Sequence, residues 1–311
     1  MNQSRPTHLL SSYYAPRGAH RMYDLGQQIA QMYLNPNDKL IGIIGEAGSG
    51  KSALIRGMFP GLELTNDDNG VYIRPLPILE QDRSFAFFSP HTYHLDIRFE
   101  NGFTQMNELA EAISEALDKG RRVVVEHFDL IYPHLGTNAN LLIGVGEQVL
   151  VARPGIFGPE PEEIKEAVYS SLPYRLMAHT AEDICGMFIS DEDNERCGHT
   201  DLRHGFAITF PDHEPDIDIA ELEKKVNDII SQDLPVTYVD DHHISIGDCV
   251  QLCDGPRVHV HRTGQIENFR LMNHFIYDRF KKRYVLVGCV GEKSDELLEK
   301  LDNRRQRPGW D

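Results

Sequence analysis

Apolar positions recur at helical spacing through residues 21–34 (RMYDLGQQIAQMYL). Met22, Leu25, Ile29, Met32 and Tyr33 predict an amphipathic helix that Asn35-Pro36-Asn37 ends. Leu40 to Ile44 is a short continuous apolar run, the pattern of a strand buried on both faces. A helix is expected from Lys51 to Met58 or Phe59, stopped by Pro60-Gly61. Residues 63–70 read as a polar turn, and the two prolines of 71–79 exclude a regular central strand. Tyr93 to Ile97 alternates like a strand and places His94 and Asp96 on one face. Met106, Leu109, Ile113 and Leu117 mark a helix over 105–119, closed by Gly120. RRVVVEHFD (121–129) follows as a buried strand with Glu126 at its carboxyl end, and Leu141 to Ala152 reads as a strand pair broken at residues 144–146. GPEPEE (158–163) is the expected seam between two domains, 1–158 and 159–311. Beyond it the pattern predicts a helix over 161–189, a strand at HGFAITF (204–210), an amphipathic helix over 219–236 and a string of short strands. Leu222, Val226, Ile229 and Ile230 share one face of that last helix. The fold class expected is α/β.

The turn after the first apolar strand carries the clearest chemistry. GEAGSGKS fits G-x-x-x-x-G-K-[ST], with Gly45, Glu46, Ala47, Gly48, Ser49, Gly50, Lys51 and Ser52 as the nucleotide-binding set. Glycines let backbone N–H groups curl around phosphate oxygens, and the helix start adds partial positive charge. Lys51 is expected to reach the β/γ-phosphates of ATP, and the Ser52 hydroxyl to ligate Mg²⁺. Glu126 is the candidate catalytic carboxylate at this point, an acidic strand end being what positions metal or water. The alternative for Glu126 is a carboxylate that caps a loop.

Composition narrows the rest. At 311 residues with 41% hydrophobic and 25% charged positions, the chain reads as globular, and no apolar run approaches the roughly 20 residues of a membrane span. MNQSRPTHLLSSYYAPRG lacks an apolar signal core, so a cytoplasmic protein is expected. The five cysteines are odd in number and scattered, which favours core thiols or metal ligands over disulfides. Cys185, Cys249 and Cys289 are expected to pack on apolar faces. A net charge of −17 argues against DNA or a broad nucleic-acid footprint. The short basic runs RFKKR (279–283) and RRQR (304–307) read as solvated helix faces or as a local patch.

The helix before the loop, GEAGSGKSALIRG, YHLD and VVVEH occur in an order that resembles the small P-loop ATPase of bacterial threonylcarbamoyl-adenosine tRNA modification. The resemblance covers about residues 20 to 153 and implies a metal- and water-handling set of Ser52, Asp96 and Glu126. His127 stands where that family usually has tryptophan, and residues 62–90 differ from it.

HTAED (179–183), HGFAITF, the helix ending DLPV, and CDGP…HVHRTGQIENFRL resemble the second additional domain, the editing module of alanyl- and threonyl-tRNA synthetases. This resemblance spans about residues 172 to 290. That module carries H-x-x-x-H on a helix and C-x-x-x-H before a T-G. His179 and Asp183, at i and i+4, leave one helix face, and Cys253 and His259 lie on a Gly-Pro loop. The four give a donor set for Zn²⁺. Asp183 replaces the family's second histidine, and the loop is two residues longer, with Arg257 at the family spacing and His261 as a substitute for His259. The alternative is a metal-free relic with a satisfied histidine and a buried thiol. Cys197 and His199 form a further pair, either a surface loop or rival ligands.

The reading is thus a P-loop ATPase domain followed by an α+β editing-like domain, with no class II aminoacylation core. The resemblance implies hydrolysis of an aminoacyl ester, on tRNA mischarged with serine or a similarly small amino acid, or on an aminoacyl small molecule. Alternatives are a nucleotide-gated regulatory module without catalysis, a small-molecule phosphotransferase, and a helper in tRNA modification.

Overall fold

The computed structural model describes residues 10–64, 92–211 and 213–305. The polar turn and proline-rich stretch expected within 63–79 fall largely outside the described residues, as do the side chains of the RRQR run. The fold is mixed α/β, in two compact units: residues 1–15 with 19–170, and residues 16–18 with 171–311. The boundary falls at Ser170, inside a helix, rather than in the 158–163 seam.

The first unit is built on a mixed sheet of β1 (Leu10–Tyr14), β2 (Leu40–Gly45), β3 (Thr92–Asp96), β4 (Arg122–Glu126), β5 (Leu141–Val145) and β6 (Gln148–Ala152). The order is β1-β6-β5-β2-β4-β3, with β5, β2, β4 and β3 parallel, β6 antiparallel to β5, and β1 antiparallel to β6. Every residue of β2 is buried, as a central strand between two helical layers requires. Ile41 and Ile43 pack with Met22, Leu25 and Ile29 of α1 (Ala19–Tyr33) and with Leu54 and Ile55 of α2 (Lys51–Met58). Leu40 and Ile44 face the other layer. After a short turn of helix, α3 (Ile97–Glu100), that layer comprises α4 (Met106–Asp118) and α5 (Phe128–Leu135). Ile164 and Val168, in the first turns of α6 (Pro161–Gly186), belong to the same core. That packing is why the unit extends past the expected seam. Gly42 has no room for a side chain, since a Cβ would come within 2.6 Å of the Phe128 ring.

The second unit combines the rest of α6 with α7 (Asp191–Arg196), β7 (Gly198–Leu202), β8 (Gly205–Phe210) and α8 (Ile219–Ser231). β9 (Val236–Asp240), β10 (His243–Ile246) and β11 (Cys249–Leu252) form a three-stranded antiparallel sheet. A second sheet pairs β8 with β7 and with β14 (Arg283–Cys289), which also pairs β12 (Arg270–Leu271) and β13 (Ile276–Asp278). α9 (Ser294–Arg305) closes the described chain. Ala181, Ile184 and Cys185 of α6 share a core with Phe206, Ile208, Leu222, Val226 and Leu286.

Three expectations need correcting. The helix expected over 219–236 starts where Asp218 caps it, accepting from Glu221 N at 3.0 Å, but it ends at Ser231. Asp233 then takes a φ of 50°, outside the helical region, and Val236 opens β9. RFKKR is the turn between β13 and β14 rather than a helix face, with Phe280 and Lys281 N–H groups donating to Asp278 Oδ1. Cys249 is exposed, whereas Cys185 and Cys289 are buried as expected.

Candidate functional site

In the first unit β2 runs directly into the glycine-rich loop, and Lys51 opens α2 behind it. Gly48 and Gly50 have φ of 77° and 99°, a region that side chains other than glycine's strain to reach. Lys51 is buried, and its Nζ reaches back along the loop to donate to Glu46 O at 2.8 Å, 3.6 Å from Glu126 Oε2. Ser52 follows in the first turn of α2.

Asp96 and Glu126 end adjacent parallel strands as register partners. Asp96 Oδ1 accepts from Phe99 N at 3.2 Å and so caps α3, while Glu126 Oε1 pairs with His94 Nε2 at 3.2 Å. Burial acts to raise the Glu126 pKa, but the hydrogen bond from His94 and the charge of Lys51 outweigh it and hold the carboxyl below its ordinary range. His127, at the N-terminus of α5 with a φ of 57°, brings a ring nitrogen within 4.8 Å of ligand atoms on Asp96 and Glu126. Burial first, then the charges of Lys51 and Arg98, lower the His127 pKa, which favours the neutral imidazole. Two carboxylates offer hard oxygen donors suited to Mg²⁺ beside a lysine. His127 entered the sequence reading only as a departure from a tryptophan; its place after a strand-end carboxylate was the available signal.

In the second unit the four expected metal ligands divide. Asp183, Cys253 and His259 bring their ligand atoms within 4.8 Å of one another. His259 Nε2 is 2.9 Å from Asp183 Oδ2 and 3.6 Å from Cys253 Sγ. His179 does not join them: its Nε2 pairs with Asp201 Oδ1 of β7 at 2.9 Å. Its burial pushes the pKa down to about 3, so it is a neutral ring in a polar contact. Thr180 ties the 253–260 loop to α6, accepting from Val260 N at 3.1 Å. His261 is exposed and Arg257 lies over the Tyr238 ring at 4.9 Å, and neither enters the cluster.

The residue that sequence reasoning missed is Arg17, which the chain places in the second unit. Its guanidinium is buried and donates through Nη1 to Glu182, and through Nη2 to Asp183 and, at 3.5 Å, to Cys253 Sγ. Asp183 is held well below the carboxylate range because Arg17 and the His259 hydrogen bond overcome its burial. The Cys253 thiol is pushed up to about 12, by burial and then by the charge of Asp183. The donor types and spacings of Asp183, Cys253 and His259 fit a zinc ion. Arg17 already supplies positive charge to Asp183 and Cys253, so an ion there would have to compete with it for the same groups.

Comparison with protein-family models gives no match, and comparison with curated proteins gives none. No helix among the described residues is long and apolar enough to cross a membrane.

Proposed function

We propose that the first unit is a P-loop nucleotide-binding domain that hydrolyses ATP, and that the second is a hydrolase of the synthetase-editing kind. The observation that supports the first part most directly is Lys51. It is drawn to Glu46 O and Glu126 at the mouth of a glycine loop, opposite paired strand-end carboxylates. On this reading the loop N–H groups receive phosphate oxygens and Lys51 leaves Glu46 O for the β/γ-phosphates. Glu126, ionised and oriented by His94, accepts a proton from the attacking water. Asp96 and Ser52 would hold Mg²⁺, which supplies charge neutralisation at the phosphates.

In the second unit, Asp183, Cys253 and His259 would hold Zn²⁺, which polarises an ester carbonyl or its water. An aminoacyl ester, on tRNA carrying serine or a similarly small residue, is the substrate this reading assigns. The occupancy of the cluster by Arg17 favours a second reading, in which these residues bind or sense without catalysing.

The test of the first part is magnesium-dependent ATP hydrolysis. Lys51→Ala should abolish nucleotide binding, while Glu126→Gln should keep binding and lose at least about a hundredfold in turnover. Equal ATP affinity in the wild type and Lys51→Ala would sink the reading. For the second part, release of serine from Ser-tRNA should depend on zinc and on Cys253; binding with no release, in a zinc-loaded protein, would leave only the sensing reading.

A further inference from the structure

A second constellation lies on the other side of Glu182. Cys197 follows α7, and its Sγ is 3.5 Å from His199 Nε2 at the start of β7. The opposite ring nitrogen, His199 Nδ1, is 2.8 Å from Glu182 Oε1. Glu182 is buried and fixed from its other oxygen by Arg17. Cys197 is half-buried and the His199 side chain retains 34% of its surface, so the sulfur lies within reach of a solute. A sulfur, an imidazole and a carboxylate joined through opposite ring nitrogens form the relay that activates a nucleophile.

We propose that Cys197 is a nucleophile for carboxylic acyl esters, with His199 as its proton-transfer partner and Glu182 as the residue that positions His199. The sulfur attacks as the thiolate, its proton held on His199 Nε2, and forms a C–S bond to the carbonyl carbon as the carbonyl electron pair moves to oxygen. Collapse of that adduct breaks the ester C–O bond, and the leaving alkoxide takes the proton from His199 Nε2. Water then hydrolyses the thioester, giving its proton to His199 and returning the acid and the free cysteine. His199 is pushed up to about 10, first by its hydrogen bond to Cys197 and then by that to Glu182, so it carries the proton needed for the leaving group. The inference rests on the hydrolase reading of this unit only for the natural acyl group; the nucleophile itself depends on neither zinc nor ATP.

The probe is p-nitrophenyl acetate on the full chain without added metal, with acid quenching and peptide mapping of acetylated cysteines. Cys249, exposed and with no imidazole–carboxylate relay among the described residues, is the internal reference. Acetylation at Cys197 should outpace that at Cys249 by at least about tenfold, with a matching burst of nitrophenolate. His199→Asn, a change at an exposed side chain, should remove that advantage and leave the Cys249 rate unchanged. Glu182→Gln should slow Cys197 and shift the midpoint of the pH profile of its acetylation, leaving the rate and profile at Cys249 unchanged, whereas a purely structural role would leave that midpoint in place. Equal rates at Cys197 and Cys249, or a Cys197 rate indifferent to His199→Asn, would overturn the proposal. Because the probe needs no tRNA, failure of Ser-tRNA hydrolysis alongside rapid acetylation of Cys197 would sink the substrate reading and keep the nucleophile.

Discussion

Arg17 donates to Asp183 across 166 residues of sequence, and through the same nitrogen reaches Cys253. The guanidinium stands among the donors on which a zinc ion would depend. Its own pKa is raised well above the ordinary value, since the carboxylates of Asp183 and Glu182 outweigh the cost of its burial.

Replacing Arg17 therefore exposes the competition. Arg17→Ala leaves buried Asp183 without its cation and Glu182 with only His199, a loss on the order of 3–5 kcal/mol in metal-free protein. Zinc should recover part of it, so melting of this variant becomes zinc-dependent, and its zinc affinity in a competition titration rises at least about tenfold. Unchanged zinc affinity in Arg17→Ala would show that arginine and metal do not share the site.

The glycine-rich loop was legible as a strand-to-helix turn because its pattern is local: strand, glycines, lysine and helix start lie within Leu40–Met58. Glu126 was legible as a strand end and Asp96 as a strand residue, and parallel pairing made them neighbours. The second unit was harder because its polar contacts join distant segments. Helical spacing put His179 with Asp183, but nothing along the chain announced Asp201 as the partner of His179. Arg17 gave no signal at all, being one cation in a Pro-Arg-Gly turn. β1 escaped for a related reason: its residues alternate between exposed and half-buried, and its pairing with β6 spans most of the first unit. The Cys197–His199 pair was visible, while its third member, Glu182, was hidden inside HTAED.

His179 sets a pH dependence with a definite sign. Buried and neutral, it is pushed down to about 3 in the folded chain, against an ordinary value of about 6.5 when unfolded. As pH falls below about 6.5 the unfolded chain takes up this proton and the folded chain does not, so stability declines toward acid. At about pH 5 the loss from this one group is on the order of 2 kcal/mol relative to pH 7. In His179→Gln that component disappears. Urea midpoints compared at the two pH values should fall less for the variant than for the wild type; parallel falls would assign the acid sensitivity to other groups.

Gly57 tests how the glycine-rich loop is held from behind. Within a helix alanine is favoured over glycine by up to about 1 kcal/mol, so Gly57→Ala, in the last turn of α2, should stabilise the helix slightly if nothing lay against it. A Cβ at Gly57 would instead stand 2.0 Å from Tyr23 O, and one at Gly26 would stand 2.2 Å from Leu54 O. The obstacles are backbone atoms of α1 and α2, which no change of rotamer removes. Either helix must move, at an overpacking cost of roughly 1–3 kcal/mol that exceeds the propensity gain. Net destabilisation should appear as a lower Tm for Gly57→Ala. Because α2 begins at Lys51, the displacement reaches the loop, and ATP affinity should fall with it while the side chains that face the phosphates stay unchanged. A variant that melts at or above the wild-type temperature and binds ATP as tightly would show that the two helices have slack at this crossing.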